Sequence, residues 1–153
     1  MRNLPQLKLQ LMSNKLGVFK ALNEVVIPHE GWIRAIRESL NMTLQQLANR
    51  LGVSKEAVRR LEQREQEEAI TLESLRKVGQ ALDMKLVYGF ITMDDSLEDY
   101  VNRRAREVAR EIIERTHRQM ILEGQQVDYD ALQKAVESSA EVMVNDVDRQ
   151  LWT

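Results

Sequence analysis

The sequence predicts a mostly α-helical protein with one short strand, and three observations predict it. Glycine and proline number only six and two in 153 residues, so helix breakers are scarce. Apolar residues recur three and four apart over most of the chain, which is the period of a helix face. One run alone, KLVYGFI at 85–91, has the β-branched and aromatic content of a strand.

The elements follow in order. Residues 4–24 form a first helical segment, with Leu4, Leu7, Leu11, Leu16, Phe19 and Leu22 near helical spacing. Pro5 falls in its first turn, where the missing N–H costs nothing, and Gly17 is placed to interrupt it. Pro28 marks a linker. Four short helices come next, at about 30–40, 44–51, 55–65 and 72–82. Asn41 tolerates a left-handed turn between the first two. Thr43 with Gln46 makes a capping box, and Ser54 and Thr71 are further N-caps, each worth about 1 kcal/mol.

The strand at 85–91 is then expected to pair with a second copy or a partner, because a lone strand leaves its edges open. Two long helices close the chain. One runs over about 96–124, striped by Leu97, Val101, Ala105, Val108, Ile112 and Met120. The other runs over about 129–145, striped by Leu132, Val136, Ala140 and Met143. The domain reading is therefore 1–28 as helix and linker, 29–84 as a compact helical domain, 85–95 as strand and connector, and 96–153 as a helical dimerisation or partner-binding region.

Composition narrows the function. Apolar residues at 43% and charged residues at 30% allow a packed core and argue against disorder. With no cysteine, disulfide scaffolds, thiolate zinc sites and cysteine nucleophiles are excluded. No run of about 18 apolar residues is present, nor the pattern of an export signal, so a cytoplasmic protein with no membrane partner is expected. Net charge is −2, but it is unevenly spread. Residues 1–28 hold Arg2, Lys8, Lys15 and Lys20 against Glu24. Residues 29–84 hold nine basic and nine acidic residues, and residues 85–153 hold nine and fourteen. The acidic excess thus lies in the last third of the chain.

The stretch TLQQLANRLGVSKEAVRRLEQ, 43–63, carries the functional signal. Ala48 is small where two helices would cross. Gly52 can take the positive φ of a tight turn. Val53, Val58 and Leu61 are expected to face neighbouring helices. The pattern fits two helices joined steeply by a short turn, a helix-turn-helix. The outer face of the second helix holds Lys55, Glu56, Arg59, Arg60 and Gln63. Arginine can fork onto guanine, glutamine can pair with adenine, and glutamate can accept from cytosine N4. The plainer alternative is a solvated face with a Glu56–Arg60 surface pair.

Residues 33–84 resemble the phage-repressor-like (XRE) helix-turn-helix family. The resemblance places Lys55, Glu56, Arg59 and Arg60 where that family reads bases. It places Thr43, Gln45 and Gln46 near the helix start that meets phosphates, and Gln63 and Arg64 are expected on the backbone beside them. Arg37 and Glu62 match a structural ion pair. The chain departs from the family pattern at Leu44, where a glutamine is common. It departs again at REQEEA, 64–69, where Glu65, Glu67 and Glu68 would repel phosphates unless turned away.

A longer resemblance rests on GWIRAIRESLNMT at 31–43, ITLESLRKVGQALDMKLVYGF at 70–90, SLEDYVNRRAREVAR at 96–110, MILEGQ at 120–125 and LW near the end. These are similar to the mobile mystery protein A family, whose members are encoded beside a Fic-domain protein. That implies an antitoxin-like repressor, homodimeric on its own operator, with a Fic partner. The alternative is an interaction module that neutralises the partner and binds DNA little by itself.

Fic inhibitors resemble one another in a helix carrying Ser or Thr, three residues, Glu, then Gly or Asn. Glu123-Gly124 supplies the last two, but Gln119 stands at the hydroxyl position. A glycine C-cap ending the long helix is the simpler explanation of Glu123-Gly124 and is preferred. Trp152 docks on its own helices or on a partner, and Trp32 is expected in the core. Glu107, Glu111 and Glu114 read as a solvated face paired with Arg103, Arg110, Arg115 and Arg118. His29 and His117 lack a second histidine at metal spacing. No cofactor, metal or catalytic residue is expected.

Overall fold

The computed structural model describes residues 3–126 and 128–153. Arg2, counted above among the basic residues, lies outside them. Seven α-helices are described: α1 (Leu4–Gly17), α2 (Trp32–Ser39), α3 (Leu44–Leu51), α4 (Lys55–Gln66), α5 (Leu72–Ala81), α6 (Leu97–Leu122) and α7 (Tyr129–Asp146). Short 3-10 helices cover Val18–Glu24 and Arg149–Trp152. The chain divides into two compact units, one of Asn23–Gly89 and one of Met1–Leu22 with Phe90–Thr153.

The expected strand at 85–91 is corrected: no strand occurs among the described residues. The segment is irregular and mostly exposed. A strand exists only as a member of a ladder, and nothing among the described residues pairs with this one. Strand composition raised the expectation, but composition carries no information about a partner.

In the Asn23–Gly89 unit, α2 to α5 enclose Ile33, Leu47, Ala48, Val58, Val78 and Leu82, with Ile36, Leu61 and Leu75 packed around them. Leu47, Ala48 and Val58 are fully buried. The helix borders form where capping chemistry dictates. Asn41 adopts φ +52. The Thr43 backbone N–H donates to Gln46 Oε1 at 2.8 Å, and the Gln46 N–H donates to Thr43 Oγ1 at 3.1 Å. Ser54 Oγ and Thr71 Oγ1 each accept an N–H at 3.1 Å. Two expectations fail here. Val53 is largely exposed, because it sits in the turn itself. Trp32 is 41% exposed, because the buried face of α2 runs through Ile33 and Arg37 and leaves Trp32 beside it.

In the other unit, α6 and α7 pair along their length around Val101, Ala105, Ala109, Ala140, Met143 and Leu151. Leu9 of α1 packs on this cluster. The alanines at 105 and 109 let the helices approach closely. The buried stripe of α6 therefore runs Val101–Ala105–Ala109, and Ile112 is left 43% exposed, against the expected stripe. Asn3 caps α1, accepting the Gln6 N–H, and its amide donates to the Asn145 carbonyl at the end of α7. Ser13 of α1 donates to Glu98 of α6. Leu151 is buried, with its carbonyl accepting two bonds from Arg104. The Trp152 ring meets Tyr100 at 5.4 Å.

Candidate nucleic-acid interface

The turn between α3 and α4 is three residues long. Gly52 takes φ +68, a region open to glycine at little cost. The Val53 N–H reaches back to the Ala48 carbonyl at 3.0 Å, which is the six-to-one bond of a Schellman stop. Ser54 then starts α4 at once. With Ala48 fully buried at the crossing, the two helices close to a helix-turn-helix.

Helix α4 sorts its residues sharply. Val58 and Glu62 are buried. Lys55, Glu56, Arg59, Arg60, Gln63 and Arg64 are exposed. The inward Glu62 is held by Arg37, with Nε to Oε1 at 2.5 Å and Nη2 to Oε2 at 3.3 Å. Arg37 also donates to the Met42 carbonyl at 2.9 Å. One guanidinium thus ties α2, α4 and the α2–α3 turn together, and the expected Arg37–Glu62 pair is present.

The acids at the end of α4 and just after it repel phosphates unless they turn away from the exposed face. Glu65 does. Its carboxylate accepts the backbone N–H groups of Trp32 and Ile33, capping α2, whose N-cap residue Gly31 has no side chain to offer. A carboxylate on two orphan N–H groups also complements the helix dipole. Gly31 is required for this approach. It sits at φ +86, and a Cβ there would lie 2.9 Å from Glu65 Oε1. Glu67 accepts from Gln63 Nε2 at 2.9 Å, and Glu68 ends the element with φ +56. This use of Glu65 was not readable from the sequence. Only the absence of a side-chain cap at Gly31 hinted that a remote acceptor was needed.

With Glu62 and Glu65 turned inward, the outer face of α4 holds Lys55, Arg59, Arg60 and Arg64 against Glu56. Arg59 bonds Glu56 through Nη1 at 3.0 Å. The pair named in the plainer alternative was Glu56–Arg60; Glu56 instead takes Arg59, three residues on. Both members are more than half exposed, and such a pair is worth about 0–1 kcal/mol, so it opens at small cost. Lys55, Arg60 and Arg64 have no ion-pair partner among the described residues. At the start of α3, Thr43 and Gln46 are engaged in the capping box. The Thr43 hydroxyl proton and the Gln46 Nε2 group are not used by it, so both can donate. Gln45 donates to Asn49 at 2.8 Å.

Arg50 looks outward in sequence, yet it donates to the Ala81 carbonyl at 2.8 Å and pairs with Asp83 at 3.5 Å. It ties α3 to the end of α5 and is a poor candidate for contacting DNA.

The partner-binding candidates lie in the other unit. Glu123 and Gly124 end α6. Gly124 takes φ +76, and the Gln125 N–H returns to the Met120 carbonyl at 2.9 Å, as a glycine stop requires. Trp152 packs against Tyr100 with the rings tilted by 43° and is 48% exposed. The expected carboxylate pairs are partly revised: Glu107 pairs with Arg103 and Arg104, while Glu111 and Glu114 have no ion pair among the described residues. The His117 ring packs edge-on against Tyr129. No group of three metal-ligating side chains occurs among the described residues. No described helix is long and apolar enough to cross a membrane.

A short turn, a buried small residue at the crossing and a cationic outward helix face together define a DNA-binding module. Residues 33–88 match the family profile described as helix-turn-helix. The matched segment is similar to the XRE-like helix-turn-helix domains of DNA-binding transcription regulators. No curated protein and no solved structure matches the chain.

Proposed function

We propose that this chain is a sequence-specific transcriptional repressor, homodimeric on its own operator, and the antitoxin-like member of a pair with a Fic-domain protein. The observation that carries the DNA reading is the charge sorting on α4, with four cations outward against one exposed acid while Glu62 and Glu65 are spent on α2. Base reading is assigned to Lys55, Glu56, Arg59 and Arg60. Backbone contacts are assigned to Thr43, Gln45, Gln46, Gln63 and Arg64, with the N-terminal dipole of α3 assisting. Mixed acceptors and donors on a major-groove helix favour base discrimination over plain attraction. The Fic pairing rests on the sequence resemblance at 31–43, 70–90, 96–110 and 120–125.

Fluorescence anisotropy on DNA from directly upstream of the gene, against scrambled DNA at two salt concentrations, tests the DNA reading. The expected result is a specific complex with a steep salt slope. Equal, weak binding to both DNAs overturns it.

A second reading has its own support. The end of α6 and the start of α7 expose Ile121, Leu122 and Tyr129, with Leu122 at 87%. In this reading Glu123, Gly124 and Trp152 belong to a surface that engages and neutralises the Fic partner. Co-purification of the full chain with the adjacently encoded protein, and inhibition of that protein, are expected. Failure of both sinks the pairing.

A further inference from the structure

The segment that failed to become a strand lies beside an apolar groove. After α5, the Met84 N–H returns to the Gly79 carbonyl at 2.8 Å. The chain then lies directly on the helix: a Cβ at Gly79 would stand 3.1 Å from the Met84 carbonyl oxygen. From Lys85 to Gly89 no backbone N–H or C=O has a hydrogen-bond partner among the described residues. A second irregular stretch enters the same unit at Val26 and Ile27, likewise without backbone partners. Ile27 of the one stretch and Met84 to Val87 of the other line one groove of about 700 Å³, with Trp32 and Leu75 also contributing.

The side chains that line it, and their chain neighbours Val26 and Tyr88, are large and uncovered. Val26 is 86% exposed, Ile27 69%, Val87 63% and Tyr88 60%. With Trp32 and Met84, their open surface is on the order of the ~800 Å² that each partner contributes to a stable interface. Apolar patches of that size on a soluble domain mark interaction sites.

We propose that residues 84–89 pair, edge to edge and antiparallel, with the same segment of a second copy of this chain. The paired strands would lie over the two apolar grooves. A two-fold axis makes this self-consistent, since each copy offers both the strand and the groove and every contact is made twice. The open backbone groups supply the ladder. Two strands alone are marginal in water, and the groove provides the apolar face they need. Charge agrees: Lys85 and Glu68 both lie at this groove, and neither has an ion-pair partner among the described residues. The inference rests on the homodimer of the proposed function and names its surface.

The chain has no cysteine, so single replacements report cleanly. The experiment places Lys85→Cys, Val87→Cys, Tyr88→Cys and Gly89→Cys singly in the full chain, with Val18→Cys as an exposed control, and oxidises each mildly. Sedimentation velocity of the unmodified chain runs alongside. The expected result is a dimer whose crosslinking peaks at one position within 85–89 and falls at its neighbours, since only the residue at the two-fold faces its own copy. Val18→Cys is expected to stay uncrosslinked. N–H groups point at the partner on alternate residues, so either Val87→Pro or Tyr88→Pro removes a ladder donor; neither removes an intrachain bond, and one of the two is expected to weaken dimerisation at least tenfold with an unchanged circular dichroism spectrum. A monomer at tens of micromolar overturns the proposal. So does a dimer with no crosslink in 85–89, an unchanged dimer constant in both Val87→Pro and Tyr88→Pro, or strand pairing that forms only with the co-encoded protein. None of these measurements uses DNA, so their failure leaves the assignment of α4 standing.

Discussion

Glu62 and Arg37 show how one buried pair serves the exposed face it hides behind. Both are 8% exposed, and each satisfies the other. Removing one partner strands a buried charge. Glu62→Ala is therefore expected to cost about 3–5 kcal/mol in urea unfolding, whereas Arg37→Met with Glu62→Leu should cost much less. Arg60 and Arg64 are neighbours with different expected signatures. Arg60→Ala should cost about 1–3 kcal/mol and relax preference at one base pair. Arg64→Ala should weaken binding evenly across sequences and lower the salt slope by about one. Anisotropy on a panel of single-base operator variants separates the two, and identical behaviour would collapse the distinction between base reader and backbone contact. The outward cations were legible as sequence because four charges on one helix face are a periodic pattern. The inward fate of Glu65 was not, because its partner is the helix start at Trp32, 33 residues away.

At the scale of elements, α2 depends on a cap donated from α4. Glu65→Ala is expected to leave the Trp32 and Ile33 N–H groups unpaired and to destabilise the domain by about 1–2 kcal/mol. Thermal unfolding followed by circular dichroism reads the change, and an unaltered melting temperature would show that water caps α2 as well. The start of α6 carries a different device. The Arg103 guanidinium holds the Asp94 carboxyl below its ordinary range. Arg104 first, then Arg103, does the same to Glu107. Lowered carboxylate values stabilise the folded state above the ordinary carboxylate range. That gain is lost as pH falls below about 4 and through the lowered values. Arg103→Ala is thus expected to lose less stability between pH 5 and pH 3, by roughly the wild type's extra acid sensitivity. Urea midpoints at both pH values check this. Helix borders were readable in sequence because Thr43, Ser54, Thr71 and Gly52 act on groups within four residues. The strand at 85–91 was misread because a ladder needs a second strand.

For the whole molecule, acidic net charge and DNA binding coexist because charge is placed, not averaged. The excess acid lies beyond residue 84, and two of the three acids within α4, Glu62 and Glu65, are turned to structural use. A two-fold dimer on DNA requires half-sites about one helical turn apart, roughly 34 Å. Inserting five base pairs between half-sites should then abolish high-affinity binding, and inserting ten should largely restore it. Electrophoretic mobility shifts on the three operators measure this directly. Indifference to spacing would mean that the copies bind independently.

The sequence by itself determined the helical class, the positions of α3 and α4, the turn at Gly52 and the outward set Lys55, Glu56, Arg59 and Arg60. Those features are written in periodicity, caps and φ preferences, all of which act over a few residues. The tertiary structure alone decided which acids leave the α4 face, that Trp32 lines a groove instead of the core, and that Ala109 rather than Ile112 is buried on α6. It also decided that 85–89 stays unpaired beside that groove. Each of these depends on which distant group arrives opposite, and burial, capping and strand pairing are properties of two partners that no local pattern holds.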